Sequence, residues 1–267
     1  MSELPSLGMG TFRLEGDVAI ESVKQALEAG YRHIDTAQIY GNESEVGIAI
    51  KKSGITREEL FLTTKVWLDN LTQEAFISSV EVSLKKLKVE SVDLLLIHWP
   101  EKDGRASMET YLKLLAQCQQ KGLTKHIGVS NFTIKQLDNA IDILGEGKIY
   151  TNQIEVHPYL QNTAVIEHCK KRGITVTDYM PLAVGKVMSD DVLLKIAERY
   201  NATPAQIAIA WQLKQGLVTI PSSTKRKNLD ANLEALKITL TDEDMRKISA
   251  LEAGERIANP EFAPYWD

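Results

Sequence analysis

The chain has 267 residues, 43% hydrophobic and 25% charged, with a formal net charge of −5. That length buries a sizeable core, and the acidic balance excludes a general nucleic-acid binder, which would present a basic face. With no basic-then-apolar leader and no long apolar run, neither secretion nor membrane spanning is expected, and the cytoplasm is the expected compartment.

Short apolar runs alternate with amphipathic helical stretches along the whole chain. Residues 4–12 (LPSLGMGTF) open as a strand, and 18–27 follow at helical spacing. The stretch 30–43 (GYRHIDTAQIYGNE) holds a short buried strand over 32–34 that delivers Asp35, and then Tyr40, into a loop. A helix over 45–53 carries Val46, Ala49 and Ile50 on one face. LFLTTK (60–65) is a strand, followed after Leu71 by a helix striped with Phe76, Val80, Leu84 and Leu87. Residues 92–98 are nearly continuously apolar, the mark of a strand buried on both faces. A helix near 107–121 stops at Gly122, and HIGVS (126–130) supplies a fifth strand. Ile134, Leu137, Ile141 and Leu144 stripe the next helix, closed by Gly145.

The second half repeats the rhythm. TNQIEV (151–156) is a sixth strand, 162–171 a helix ending at Gly173, and ITVTDY (174–179) a seventh strand. Helices over 190–200 and 203–215 follow, the second with Thr203 as N-cap and Pro204 in its first turn. LVTIP (217–221) is the eighth strand, then a helix runs through Leu233 and a last one follows Thr241. There Thr241 and Asp244 loosely resemble a capping box, although that box prefers Glu or Gln. The two cysteines, Cys118 and Cys169, fall on apolar helix faces and read as reduced core thiols. Eight β/α units without a Gly-x-Gly-x-x-Gly turn predict the α/β class, as a closed (β/α)8 TIM barrel rather than a doubly wound sheet. No linker divides residues 1–267, which are expected to form a single domain.

In such barrels the working side chains stand at the C-terminal ends of the strands. Those ends carry Asp35 and Tyr40, Lys65, His98, Ser130 and Asn131, Gln153 with Glu155, Tyr179, and Ser222 with Ser223. Taken singly, an aspartate there caps a loop, a lysine points to water, and a histidine is a bonded core residue. Sharing one mouth, they make chemical sense together. A phenol with a pKa near 10 is a poor proton donor or acceptor at neutral pH, and a nearby ammonium lowers that pKa. Lys65 is placed to do this, Asp35 to hold Lys65, and His98 to position a carbonyl oxygen. Such a set would protonate an alkoxide as it forms, which carbonyl reduction by hydride needs. The five histidines show no zinc-ligand spacing, so no metal is expected.

GYRHIDTAQIYGNE, LFLTTKVW, VDLLLIHWP, HIGVSNF, NQIEVHPYLQ and IPSSTKRKNLDANL, in this order across nearly the whole chain, resemble the aldo-keto reductases. Within that family the motifs and the ending NPEFAPYWD are most similar to the short bacterial 2,5-diketo-D-gluconate and methylglyoxal reductases. The resemblance implies an oxidoreductase that uses NADPH/NADP+ on small aldehydes and ketones, with NADH as a weaker alternative. It places Tyr40 (general acid), Asp35, Lys65 and His98 on the catalytic tetrad. Ser130, Asn131 and Gln153 fall on positions that bond the nicotinamide carboxamide, and Tyr179 on the aromatic stacked against the nicotinamide. The remaining cofactor contacts fall on Pro181, Leu182, Ser222, Ser223, Thr224, Lys225, Arg226, Asn228 and Asn232. Phe12, Trp67 and Trp99 fall on substrate-pocket aromatics, with core packing as the other reading of Phe12 and Trp67.

The chain departs from the family at the phosphate end. Ser222 and Asn228 stand where a lysine and an arginine are usual, and Lys225 or Arg226 is expected to supply the replacement charge at a helix start. The loops after His98 and Tyr179 are short, as is the N-terminal segment, so an open site with few large apolar walls is expected. Such a site suits small polar carbonyls, methylglyoxal-type α-keto aldehydes and keto sugar acids. The expected partner is a small-molecule carbonyl substrate, with no nucleic acid, no membrane and a monomeric state. Other classes remain: a cofactor-binding regulatory subunit with little turnover, or an aldolase with Lys65 as Schiff-base nucleophile. The last conflicts with Asp35, which would raise rather than depress the lysine pKa.

Overall fold

The computed structural model describes residues 4–267. Eight parallel strands follow one another in sequence order around a single sheet. They are β1 (Met9–Gly10), β2 (His33–Asp35), β3 (Phe61–Val66), β4 (Val92–Ile97), β5 (Thr124–Ser130), β6 (Ile149–Glu155), β7 (Thr175–Tyr179) and β8 (Val218–Thr219). Backbone bonds from Gly8 to Thr219 (2.9 Å), from Thr219 to Ser6 (2.9 Å) and from Gly10 to Pro221 (3.3 Å) join the last strand to the first. The sheet is thus a (β/α)8 barrel. β1 and β8 are shorter than the expected 4–12 and 217–221; Pro221 has no N–H to carry the ladder on.

Helices surround the barrel: α1 (Gly16–Ala29), α2 (Glu43–Ser53), α3 (Phe76–Leu87), α4 (Met108–Gln120), α5 (Ile134–Leu144), α6 (Thr163–Lys171), α7 (Asp191–Tyr200), α8 (Pro204–Lys214), α9 (Arg226–Glu234) and α10 (Asp242–Ser249). Five of them, α4, α5, α7, α8 and α10, start at a residue whose side chain accepts from a free N–H of the first turn. Thr203 and Gln206 close a capping box ahead of Pro204, and Thr133 and Gln136 close another on α5 that sequence reading missed. Thr241 and Asp244 also close one, the shorter Asp244 carboxylate reaching the Thr241 N–H at 3.1 Å while also accepting from the Tyr200 hydroxyl at 2.6 Å. Cys118 and Cys169 are free and wholly buried. No helix among the described residues is long and apolar enough to cross a membrane.

The strand period of two sorts side chains between the barrel interior and the helical layer. Along β3, Phe61, Thr63 and Lys65 share one face, while Thr64 on the other reaches the buried Glu43 of α2 at 2.7 Å. Phe61, Leu94 and Leu96 form their own apolar cluster inside the barrel, separate from the large cluster between strands and helices. Above them His33 meets Thr63 at 3.2 Å. Two residues further along the same faces come Asp35 and Lys65. Asp35 is therefore the last ladder residue of β2, paired with Thr63, and not the first residue of the loop.

Candidate active site

Lys65 is wholly buried, and its ammonium is the centre of the site. It is ion-paired with Asp35, donates to the Thr36 carbonyl at 2.9 Å and lies 3.4 Å from the Tyr40 hydroxyl. The second carboxylate oxygen of Asp35 accepts from Gln153 Nε2 at 2.8 Å. Tyr40 ends a short 3-10 turn, Gln38–Tyr40, immediately after β2. The His98 ring stands edge-on to that of Tyr40, with centroids 5.5 Å apart, and its Nδ1 is buried without a partner among the described residues. Asp35, Tyr40 and His98 line one cavity of about 940 Å³ at the C-terminal end of the barrel, with Lys65 directly behind Tyr40.

Burial dominates the electrostatics. It lowers the Lys65 pKa against the opposing pull of Asp35. It holds His98 well below the ordinary imidazole value, with the Lys65 charge adding to the effect, so the ring is neutral at physiological pH. Burial, with the Asp35 carboxylate second, also pushes the Tyr40 phenol well above 10.0. The expectation of a phenol pKa lowered by Lys65 is therefore not met: the ammonium is directed mainly at Asp35, and desolvation of the half-buried phenol prevails. Tyr40 keeps its proton. An alkoxide is a far stronger base than a phenolate, so a protonated phenol still serves as its acid, with Lys65 close by to stabilise the anion left behind.

Ser130, Asn131, Gln153 and Tyr179 form a second constellation in the same cavity. Asn131 has a left-handed backbone (φ 63), which asparagine tolerates. Its amide nitrogen donates to the His98 carbonyl and to Ser130 Oγ, each at 3.1 Å, and its oxygen accepts from the Tyr179 hydroxyl at 2.7 Å. Ser130 donates to the Gln153 carbonyl at 2.8 Å. Counting each group's capacity leaves acceptor positions on Ser130, Asn131 and Gln153 and one N–H of Gln153. A primary carboxamide, with two N–H groups and one carbonyl, matches that set, and the half-buried Tyr179 ring offers a flat surface beside it. The residues present fit a nicotinamide.

Aromatic walls complete the mouth. The Phe12 ring lies 5.1 Å from that of Tyr40, and Trp67 stands perpendicular to His98 at 5.3 Å. Phe12, Trp67 and Trp99 all line the cavity rather than only the core. Sequence reading missed Phe262, which packs edge-on against both Trp67 and Trp99 at 5.4 Å. It also missed Arg13, Ile39, Val184 and Met188 around the rim. The expectation of few large apolar walls is thus corrected: the C-terminal segment folds back over the barrel and brings its own. The tail's contribution had no signal in strand or helix periodicity.

Pro181, Leu182, Ser222, Ser223, Asn228 and Asn232 line the far end of the cavity. Thr224, Lys225 and Arg226 do not. Arg226 turns away to Asp230 at 2.8 Å and Glu28 at 3.8 Å, both carboxylates. The cation that does line this end is Lys227, one residue into α9, whose first turn holds no acidic residue.

A family model described as the aldo/keto reductase family matches residues 6–253. The chain is 50% identical over 265 residues to methylglyoxal reductase DkgB of Escherichia coli O157:H7, covering 99% of both chains. It is 41% identical over 261 residues to glyoxal reductase of Bacillus subtilis (strain 168), covering 97% of this chain and 93% of that one. A crystal structure provisionally assigned as a 2,5-diketo-D-gluconic acid reductase B superposes with a TM-score of 0.96 at 43% identity, covering 99% of this chain and 94% of that chain.

Proposed function

The chain belongs to the aldo/keto reductase family, and from that premise we propose that it reduces small α-keto aldehydes and keto sugar acids with NADPH, Tyr40 acting as general acid. The observation that carries this reading is the meeting of Asp35, Lys65, Tyr40 and His98 at one end of the barrel. NADPH, when bound, supplies the hydride. The substrate oxygen would sit between the Tyr40 hydroxyl and the His98 imidazole, the neutral ring orienting it and the phenol donating the proton. Lys65 would then face the phenolate at 3.4 Å, itself held by Asp35. Ser130, Asn131 and Gln153 would take the carboxamide, and Tyr179 would back the nicotinamide ring. Pro181, Leu182, Ser222, Ser223, Asn228 and Asn232 would contact the rest of the cofactor.

The methylglyoxal-type substrate is supported by the named activity of relatives identical at half of their positions. Phe12, Trp67, Trp99 and Phe262 would wall that substrate. One domain working as a monomer is the organisation we favour. The test is NADPH consumption against methylglyoxal, 2,5-diketogluconate and aromatic aldehydes, repeated with NADH and with Tyr40→Phe. The variant should lose carbonyl reduction by about 10²-fold or more while still binding NADPH. Wild-type turnover in Tyr40→Phe would show that the acid is another group.

A further inference from the structure

The NQIEVHPYLQ stretch contributes Gln153 to the cavity and leaves Glu155 with no part in the chemistry. Glu155 is wholly buried at the last position of β6. Its carboxylate accepts from the backbone N–H of Ile257 at 2.7 Å and of Ala258 at 2.8 Å, and it meets His157 Nε2 at 2.9 Å. The same segment holds the tail at further points. The Tyr159 carbonyl accepts from Ala253 at 3.2 Å and Glu255 at 3.0 Å. Asn162 donates to the Glu155 carbonyl at 2.7 Å and accepts from Arg256 at 3.2 Å.

Burying a carboxylate costs desolvation that only good partners offset. An irregular tail, in turn, has backbone N–H groups with no ladder to satisfy them. Glu155 resolves both needs at once. The two residues it binds line the cavity, and the tail that runs on from them carries Phe262 to its place between Trp67 and Trp99.

We propose that Glu155 is a positioning residue that sets substrate selectivity: by fixing Ile257 and Ala258 it anchors the start of the tail segment that Lys102 grips at Glu261 and Ala263, and so holds Phe262 in the wall beside Trp67 and Trp99. The inference rests on reading the cavity as a carbonyl-reductase site. Glu155→Gln keeps the shape but sets an amide N–H against a tail N–H. Glu155→Asp keeps the charge and shortens its reach, and serves if the first variant does not fold.

The experiment combines hydrogen exchange over residues 252–267 with kinetics on methylglyoxal and a bulky aromatic aldehyde, plus NADPH affinity. Exchange in the tail should quicken in Glu155→Gln. KM for methylglyoxal should rise about fivefold, the scale of one weakened apolar contact to the substrate, with kcat and NADPH affinity little changed. Preference should move toward the bulky aldehyde. Phe262→Ala should reproduce that shift, and the double variant should go no further than either single one. Unchanged tail exchange, a fall confined to kcat, or additive effects in the double variant would overturn the proposal. Absence of any reductase activity in the wild type would sink the proposed function instead, while the exchange arm would still decide whether Glu155 anchors the tail.

Discussion

The Lys65 ammonium stands 3.4 Å from the Tyr40 hydroxyl and is ion-paired on its other side with Asp35. On the proposed mechanism the contact would supply a cation for a phenolate forming during reaction, while burial raises the pKa of the resting phenol.

A pH dependence follows from that direction. Reduction requires the neutral phenol, and a pKa raised above 10.0 keeps it neutral through the neutral and mildly alkaline range. kcat/KM for reduction should therefore stay level from about pH 6 through the neutral range, and an alkaline fall would report loss of the Lys65 cation, whose pKa burial lowers, ahead of the phenol. Alcohol oxidation, which needs the phenolate as base, should climb over the same alkaline range. A reduction profile falling around neutral pH would show that Lys65 outweighs burial once cofactor is bound.

Gln38 fixes the turn that carries Tyr40. Its side-chain oxygen accepts from the Trp67 backbone and from Asn70 Nδ2, each at 2.9 Å. Its amide nitrogen donates to Ser79 at 3.1 Å and Ser83 at 3.2 Å on α3. The amide is thus fully bonded between the turn that follows β3 and α3. Gln38→Met keeps the length and removes every bond. We expect kcat to fall about tenfold or more, since small misplacement of a reacting group is costly, with NADPH affinity near wild type. Gln38→Glu should recover much of the loss, because the serine hydroxyls can turn and donate.

Cofactor selectivity should depend on Lys227 and not on Arg226. Arg226 is engaged by Asp230 and Glu28, whereas Lys227 lines the cavity. Lys227→Ala should lower the ratio of NADP+ to NAD+ affinity by roughly tenfold, the scale of one charge-assisted contact. Arg226→Ala should leave it nearly unchanged. Titrations followed by tryptophan fluorescence measure both; an equal effect of the two variants would remove Lys227 from that role.

Gly47 lets α2 approach α3. A Cβ there would lie 2.5 Å from the Lys86 carbonyl oxygen and 2.7 Å from the Leu87 carbonyl carbon, which are backbone atoms that cannot swing aside. Gly47→Ala should cost about 1–3 kcal/mol of stability, read as a lower urea midpoint. An unchanged midpoint would mean the two helices part without penalty.

The barrel was legible in the sequence because each unit carries its own local signal. Continuous apolar runs such as 92–98 mark strands buried on both faces, and stripes such as Phe76, Val80, Leu84 and Leu87 mark helices. A barrel puts every strand's C-terminal end at one rim, so Asp35, Lys65, His98, Ser130, Gln153 and Tyr179 could be collected by reading strand ends. Side-chain direction, burial and long-range closure could not be read that way. Whether Arg226 or Lys227 turns inward depends on which carboxylates wait on neighbouring helices, and Glu28 is far from both in sequence. The Tyr40 pKa depends on how deeply the phenol is buried, which no motif states. Phe262 meets Trp67 and Trp99 in a tail whose backbone is held by residues far away in the chain, Glu155 at Ile257 and Ala258 and Lys102 at Glu261 and Ala263. Periodicity encodes what a residue does to its own element, and contacts across elements exist only once the chain has closed on itself.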